Sequence, residues 1–208
     1  MIPELPYRIF AVDPATGKSG WAVLDLISLN PLKINIIATG QLDGDKLLRI
    51  KKEMSNIFQR QFCILDALFD EYEKLIFIYN PSQVVVEGAY GHTHMSALIS
   101  LTLATNELRR ASKKILNKDI IVIPPTISKV AFTGRGGSDK DHMRLAYQTN
   151  DYLEGVVPDD EISEHQIDSI AHGVGFIKRD ITEEVIQLSG KEKRAAKQAR
   201  IEKKKLKE

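Results

Sequence analysis

The sequence predicts an α/β fold, a mixed β-sheet flanked by helices, and three observations carry that expectation. Short apolar runs such as Ile9-Phe10-Ala11-Val12 and Val84-Val85-Val86 are long enough for buried strands and too short for buried helices. Between them lie longer stretches in which apolar residues recur every three to four positions. The first three runs follow one another closely, whereas the later ones alternate with helical stretches, a pattern that mixes antiparallel and parallel pairing.

Taken in order, Ile9–Val12 reads as a buried strand that ends at Asp13. Pro14–Gly20 (PATGKSG) is turn material, and Trp21–Leu24 resumes as a second strand. Lys33–Gly40 makes a third, completing a meander. From Lys46 to Leu75 the spacing of Leu47, Ile50, Met54, Ile57, Ile64, Leu65, Leu68 and Phe69 predicts a helix. Gln83–Glu87 is a fourth strand closing on an acid, and Met95–Lys114 a long helix. Ile120–Ile123 is the fifth strand, stopped by Pro124-Pro125, with a short helix over Ser128–Phe132 and a glycine loop over Gly134–Gly137. The last helix has the clearest start. Ser163 and Gln166 have capping-box spacing, and Ile162 and Ile167 the spacing of a hydrophobic staple. That N-cap puts His165 and Asp168 on one face, with Ile167, Ile170, Ala171 and Val174 as the core stripe.

Composition narrows the function classes. A chain of 208 residues with 43% hydrophobic and 27% charged content fits one domain with an ordinary core. No apolar run approaches the ~20 residues of a membrane span, and Met1–Glu4 does not open a signal peptide. The single cysteine, Cys63, excludes an intrachain disulfide and a thiolate zinc site, which together point to the cytosol. The net charge of +1 is unevenly spread. Residues 191–208 carry nine Lys/Arg and three Glu, a net +6, leaving −5 on the rest. We therefore expect a folded body over 1–180 and a basic tail over 181–208, which either meets an anionic partner or serves solubility.

Asp13 and Glu87 each end a strand, and functional groups of α/β sheets gather at the carboxyl ends of strands. With Asp168 at a helix start they form a candidate cluster of acids, which repel one another unless a cation lies between them. Mg²⁺ suits such oxygen ligands, and two metals about 4 Å apart can stabilise both reacting oxygens of a phosphodiester. Each acid alone is equally compatible with a solvated strand end or a helix cap. His92 and His94 read as surface or DNA-contacting groups, His172 as a partner of Asp168 or a satisfied core histidine, and Cys63 as core filler. Gly134-Arg135-Gly136-Gly137 lacks the Gly-Lys-Ser/Thr ending of a P-loop, so no nucleotide cofactor is expected.

These motifs resemble those of RuvC-type Holliday junction resolvases. Phe10-Ala11-Val12-Asp13-Pro14 followed by Ser19-Gly20-Trp21 is similar to the family's opening strand and turn, with Ala15 where Gly is usual. Val84–Glu87 resembles the second motif, and Tyr90 stands near the position of a base-stacking aromatic, although the stretch from Glu87 to Ser96 is one residue shorter than usual. Val122-Ile123-Pro124, Ile127-Ser128-Lys129 and Gly134 resemble the lysine segment and glycine loop, with Lys140 at a second lysine position. His165-x-x-Asp168-Ser169-Ile170-Ala171 resembles the last motif. The likeness runs in order over about residues 8–177.

The resemblance implies an RNase H-like sheet of five strands in the order 3-2-1-4-5. It also implies a homodimer that resolves four-way junctions by paired nicks with 5′-phosphate products. Asp13, Glu87, His165 and Asp168 would be the catalytic and metal-binding set for two Mg²⁺ (or Mn²⁺), with Glu164 a competitor of His165 for the fourth place. Tyr90, Lys129, Arg135 and Lys140 would meet the DNA. Two other classes share parts of this pattern: a related nuclease acting on RNA-DNA hybrids or branched DNA, and a junction-binding protein without catalysis. An actin-like sugar kinase is excluded by length. The tail gives a first test. Removing residues 191–208 is expected to weaken junction binding and to flatten its dependence on salt by roughly 0.9 in the log–log slope for each phosphate that the tail neutralises. A salt titration of binding reads this, and an unchanged slope would assign the tail to solubility.

Overall fold

In the computed structural model the described residues are 4–51, 57–88, 95–155 and 157–182. Strands β1 (Tyr7–Asp13), β2 (Lys18–Leu29) and β3 (Leu32–Asp43) form the expected antiparallel meander. Helices α1 (Gly44–Lys51) and α2 (Ile57–Tyr79) follow, then β4 (Gln83–Glu87), α3 (Met95–Leu116) and β5 (Ile121–Ile123). Helices α4 (Pro125–Thr133) and α5 (Lys140–Thr149), strand β6 (Leu153–Glu154) and helix α6 (Glu164–Phe176) complete the order. A π-helical turn over Ile177–Thr182 continues from α6. The sheet order is β5-β4-β1-β2-β3-β6, with β4 parallel to β1 and β5 parallel to β4.

One expectation needs correction. The sheet has six strands, not five, because Leu153–Glu154 pairs in parallel with Ile34–Asn35 at the β3 edge. Two residues carry no periodic signal, so this strand exists only through its partner. The helix expected over Lys46–Leu75 is described over Gly44–Lys51 and Ile57–Tyr79, and residues 52–56 lie outside the described set. Helix α5, unforeseen, is capped by the Asp139 side chain, which accepts from the His142 N–H. The expected boundary between body and tail falls at the edge of the described residues.

β1 lies inside the sheet and is covered on both faces, which is why its apolar run is unbroken. Ile9 and Ala11 point into the core under α4, α5 and α6, whereas Phe10 and Val12 point into the core under α2 and α3. The same alternation holds in β4, where Val85 joins the first core and Val84 and Val86 the second. α6 buries Ile167, Ile170, Ala171 and Val174 against the first face. Its capping box is complete: Gln166 N–H reaches Ser163 Oγ, and Ser163 N–H donates to Gln166 Oε1 at 3.0 Å. Ile162 and Ile167, the expected staple, are both buried in that core.

Gly20 lets α6 arrive. A Cβ there would stand 2.0 Å from the carbonyl oxygen of His165. Gly20→Ala is expected to push back the first turn of α6 and to cost about 1–3 kcal/mol through overpacking. Thermal unfolding measures it, and an unchanged Tm would show that the helix start is not pinned there.

Candidate active site

The strand periodicity that builds the core also aims the acids. Asp13 shares the parity of Ile9 and Ala11, and Glu87 that of Val85, so both carboxylates leave the sheet on the α6 face. Val12 pairs with Val86 in the parallel register, which makes Asp13 and Glu87 the next neighbours along the two strands. The end of β1 is fixed from below. Ser19 Oγ donates to the Asp13 carbonyl at 3.0 Å and lies 2.7 Å from the Tyr72 hydroxyl. The Pro14–Gly17 turn is tied by the Gly44 N–H to the Gly17 carbonyl at 2.8 Å.

α6 supplies the other half. His165, Asp168 and His172 fall at i, i+3 and i+7, one stripe of the helix, beside the apolar stripe that docks it. His165 Nδ1 lies 2.8 Å from Asp13 Oδ2. His172 is 4% exposed, bonds Ser128 Oγ through Nδ1 at 2.9 Å, and holds Nε2 3.9 Å from Glu87 Oε2. Among the described residues that Nε2 is a buried nitrogen without a hydrogen-bond partner. One ligand atom each from Asp13, Glu87 and His172 lie within 4.8 Å of one another.

The electrostatics follow from burial and crowding. Burial, then the Asp13 and Asp168 carboxylates, push Glu87 up to about 8, while Lys129 pulls it down. Burial and Asp13 push Asp168 up to about 6, again against Lys129. The hydrogen bond to Asp13 raises His165, and burial pushes His172 down to about 4, so its ring is neutral. Clustered buried carboxyls that resist ionisation, with the His172 Nε2 facing them, fit a divalent cation as the counter-charge.

The remaining expected residues are placed as follows. Glu164 turns away to an exposed ion pair with Lys140, and that lysine holds it below the usual carboxylate range. Lys129 faces the acids, and its Nζ donates to the Ser138 carbonyl at 2.9 Å. Arg135 is exposed on the glycine loop, where Gly134 takes a positive φ of 80° as the cap of α4. Tyr90, His92 and His94 lie outside the described residues, as does the basic tail. Cys63 is half-buried against the core under α2. The Ser128–His172 bond escaped the sequence reading, since nothing local links positions 44 residues apart.

No family model matches the chain. Its sequence is similar to RuvC crossover junction endodeoxyribonucleases. That of Rickettsia akari is 28% identical over 137 residues, covering 65% of this chain and 76% of the relative. That of Dictyoglomus thermophilum is 22% identical over 169 residues, covering 81% and 95%. The fold matches Thermus thermophilus RuvC in complex with Holliday junction substrate, with a TM-score of 0.68 over 85% of this chain and 96% of that one, at 12% identity. The chain has a RuvC-type fold. Yeast mitochondrial resolvase Ydc2 shares the RuvC-type fold at a TM-score of 0.59 and 12% identity, over 85% of this chain and 79% of that one.

The raised carboxyl pKa values predict how the metal-free RuvC-type fold responds to pH. A carboxyl raised by folding stabilises below its ordinary pKa and loses that contribution as pH rises through the folded value. Glu87 therefore makes the protein in EDTA less stable as pH climbs toward about 8. His172, neutral in folded and unfolded chains above its ordinary pKa of about 6.5, adds nothing there. We expect Tm in EDTA to fall from about pH 6.5 upward, Glu87→Gln to flatten the fall, and divalent metal to reverse it. A flat metal-free profile would mean that Glu87 ionises freely.

Proposed function

We propose that this chain is a metal-dependent, structure-selective DNA endonuclease that resolves four-way junctions by paired nicks. The proposal is supported by Asp13 and Glu87 ending neighbouring parallel strands, by His165 bonded to Asp13, and by the electrostatic coupling of Asp168 to Asp13 and Glu87. Asp13, Glu87 and Asp168, with His165, would hold two Mg²⁺, and Mn²⁺ would substitute. When bound, such ions supply positive charge to the attacking and leaving oxygens of the phosphodiester.

The chain's own groups do the rest. Asp13 orients the His165 ring through Nδ1, which leaves Nε2 to take or give a proton near neutral pH. Lys129 draws Glu87 and Asp168 toward their ionised forms, so the pocket is readied for cations. Burial of both carboxyls keeps competing water away and strengthens every charge interaction inside. Glu164 takes no part, because Lys140 neutralises it at the surface.

The path for DNA runs past the glycine loop. Arg135 is exposed there, and Lys140 stands beside the acids across its pair with Glu164, ready to exchange that carboxylate for a phosphate. Tyr90 is assigned to stack on a base near the crossover, and the basic tail to bind backbone phosphates. A homodimer gives two such sites for the two strands. Residues 1–180 are the nuclease domain and 181–208 its appendage, acting in the cytoplasm. No described helix is long and apolar enough to cross a membrane.

The experiment is cleavage of a mobile four-way junction, a linear duplex and an RNA-DNA hybrid in Mg²⁺, with mapping of the cuts. Asp13→Asn, Glu87→Gln and Asp168→Asn are each expected to slow nicking by roughly 10²-fold or more while binding is kept or tightened. Preferential cutting of the hybrid would replace the junction by another substrate of the same chemistry. Junction binding without cutting, in wild type, would leave a binding protein.

A further inference from the structure

We propose that His172 is a direct nitrogen ligand of the cation held between Asp13 and Glu87, which makes this a mixed oxygen–nitrogen site. The inference rests on the metal-dependent reading above and adds a ligand to it. His172 is 4% exposed, and among the described residues its Nε2 has no hydrogen-bond partner. An orphaned ring nitrogen in a core is costly unless something absent pairs with it. The nitrogen faces the acids, 3.9 Å from Glu87 Oε2.

That separation is too long for a hydrogen bond and suits two donors sharing one ion. Donors on opposite sides of an ion with bonds of ~2.1 Å are ~4.2 Å apart, and adjacent ones ~3 Å. The donors of Asp13, Glu87 and His172 all lie within 4.8 Å of one another; at most one pair can be opposite, so the others draw in toward ~3 Å when the ion binds. The opposite ring nitrogen is already committed. Nδ1 lies 2.9 Å from Ser128 Oγ; in the tautomer whose Nδ1–H donates to that oxygen, the lone pair is on Nε2, the usual arrangement of a ligating histidine with its outer partner.

Backbone packing fixes the ring's position. Gly175, three residues on, brings α6 against α4 so closely that a Cβ would lie 3.0 Å from Ser128 Cα. Ser128 is thereby held under His172, and α4 and α6 meet at the ligand. An imidazole donor also shifts preference from Mg²⁺ toward Mn²⁺ and the later transition metals.

The test uses the full chain, with Mn²⁺ and Mg²⁺ as separate probes. Binding is measured by calorimetry, and nitrogen coupling to bound Mn²⁺ by pulsed electron paramagnetic resonance. We expect His172→Gln to lose roughly 10-fold or more in Mn²⁺ affinity, with a smaller loss for Mg²⁺. Ser128→Ala keeps the ring and the coupling but weakens binding by a lesser factor. Because His172 is in the core, His165→Gln provides an independent reading: nitrogen coupling that persists there comes from His172. If Mn²⁺ binds and all nitrogen coupling vanishes with His165, His172 is a structural residue and the proposal is overturned. If wild type binds neither ion, the metal reading falls with it.

Discussion

Everything at this site depends on forcing like charges together. Asp13, Glu87 and Asp168 come from two strand ends and one helix, and burial drives two of them away from ionisation in the metal-free fold. The free energy for that crowding comes from elsewhere, chiefly from the apolar stripe of α6 seated on β1 and β2. Gly173 marks the closeness of the seating, since a Cβ there would stand 2.4 Å from Leu24 Cδ1 and 3.2 Å from the Ala11 methyl. Packing energy is stored as electrostatic tension, and a cation releases it.

Lys129 and His165 moderate that tension without removing it. Lys129 lowers both raised carboxyls, and the Asp13–His165 hydrogen bond gives Asp13 a partner in the absence of metal. The two arrangements share a logic: each counter-group can yield its carboxylate without being stranded, because Lys129 keeps the Ser138 carbonyl and His165 is 40% exposed to water. Glu164 shows the contrary case. It is on the same turn as His165, yet its pairing with Lys140 keeps it at the surface.

Much of this was legible in the sequence because the fold aims the acids by periodicity. A strand of period 2 fixes the face of Asp13 once Ile9 and Ala11 are known to be core, and a capping box fixes the phase of α6 and so the stripe of His165 and Asp168. β6 was not legible, since two residues make no pattern and Leu153 is drawn in by Ile34. The partnership of Ser128 with His172 was hidden for a different reason: hydrogen bonds between distant segments leave no local trace. Family likeness implies that Lys129 meets DNA; its ammonium donates to the Ser138 carbonyl, and its charge lowers Glu87 and Asp168.

The Asp13–His165 contact spans 152 positions of sequence. A ribosome therefore completes the first acid long before the helix that partners it, and the second acid before the third. Until α6 has emerged, the chain carries the two strand-end carboxylates without the helix that completes the pocket. The pocket is thus completed only when the last of these elements has been made, a delay that chain order alone enforces.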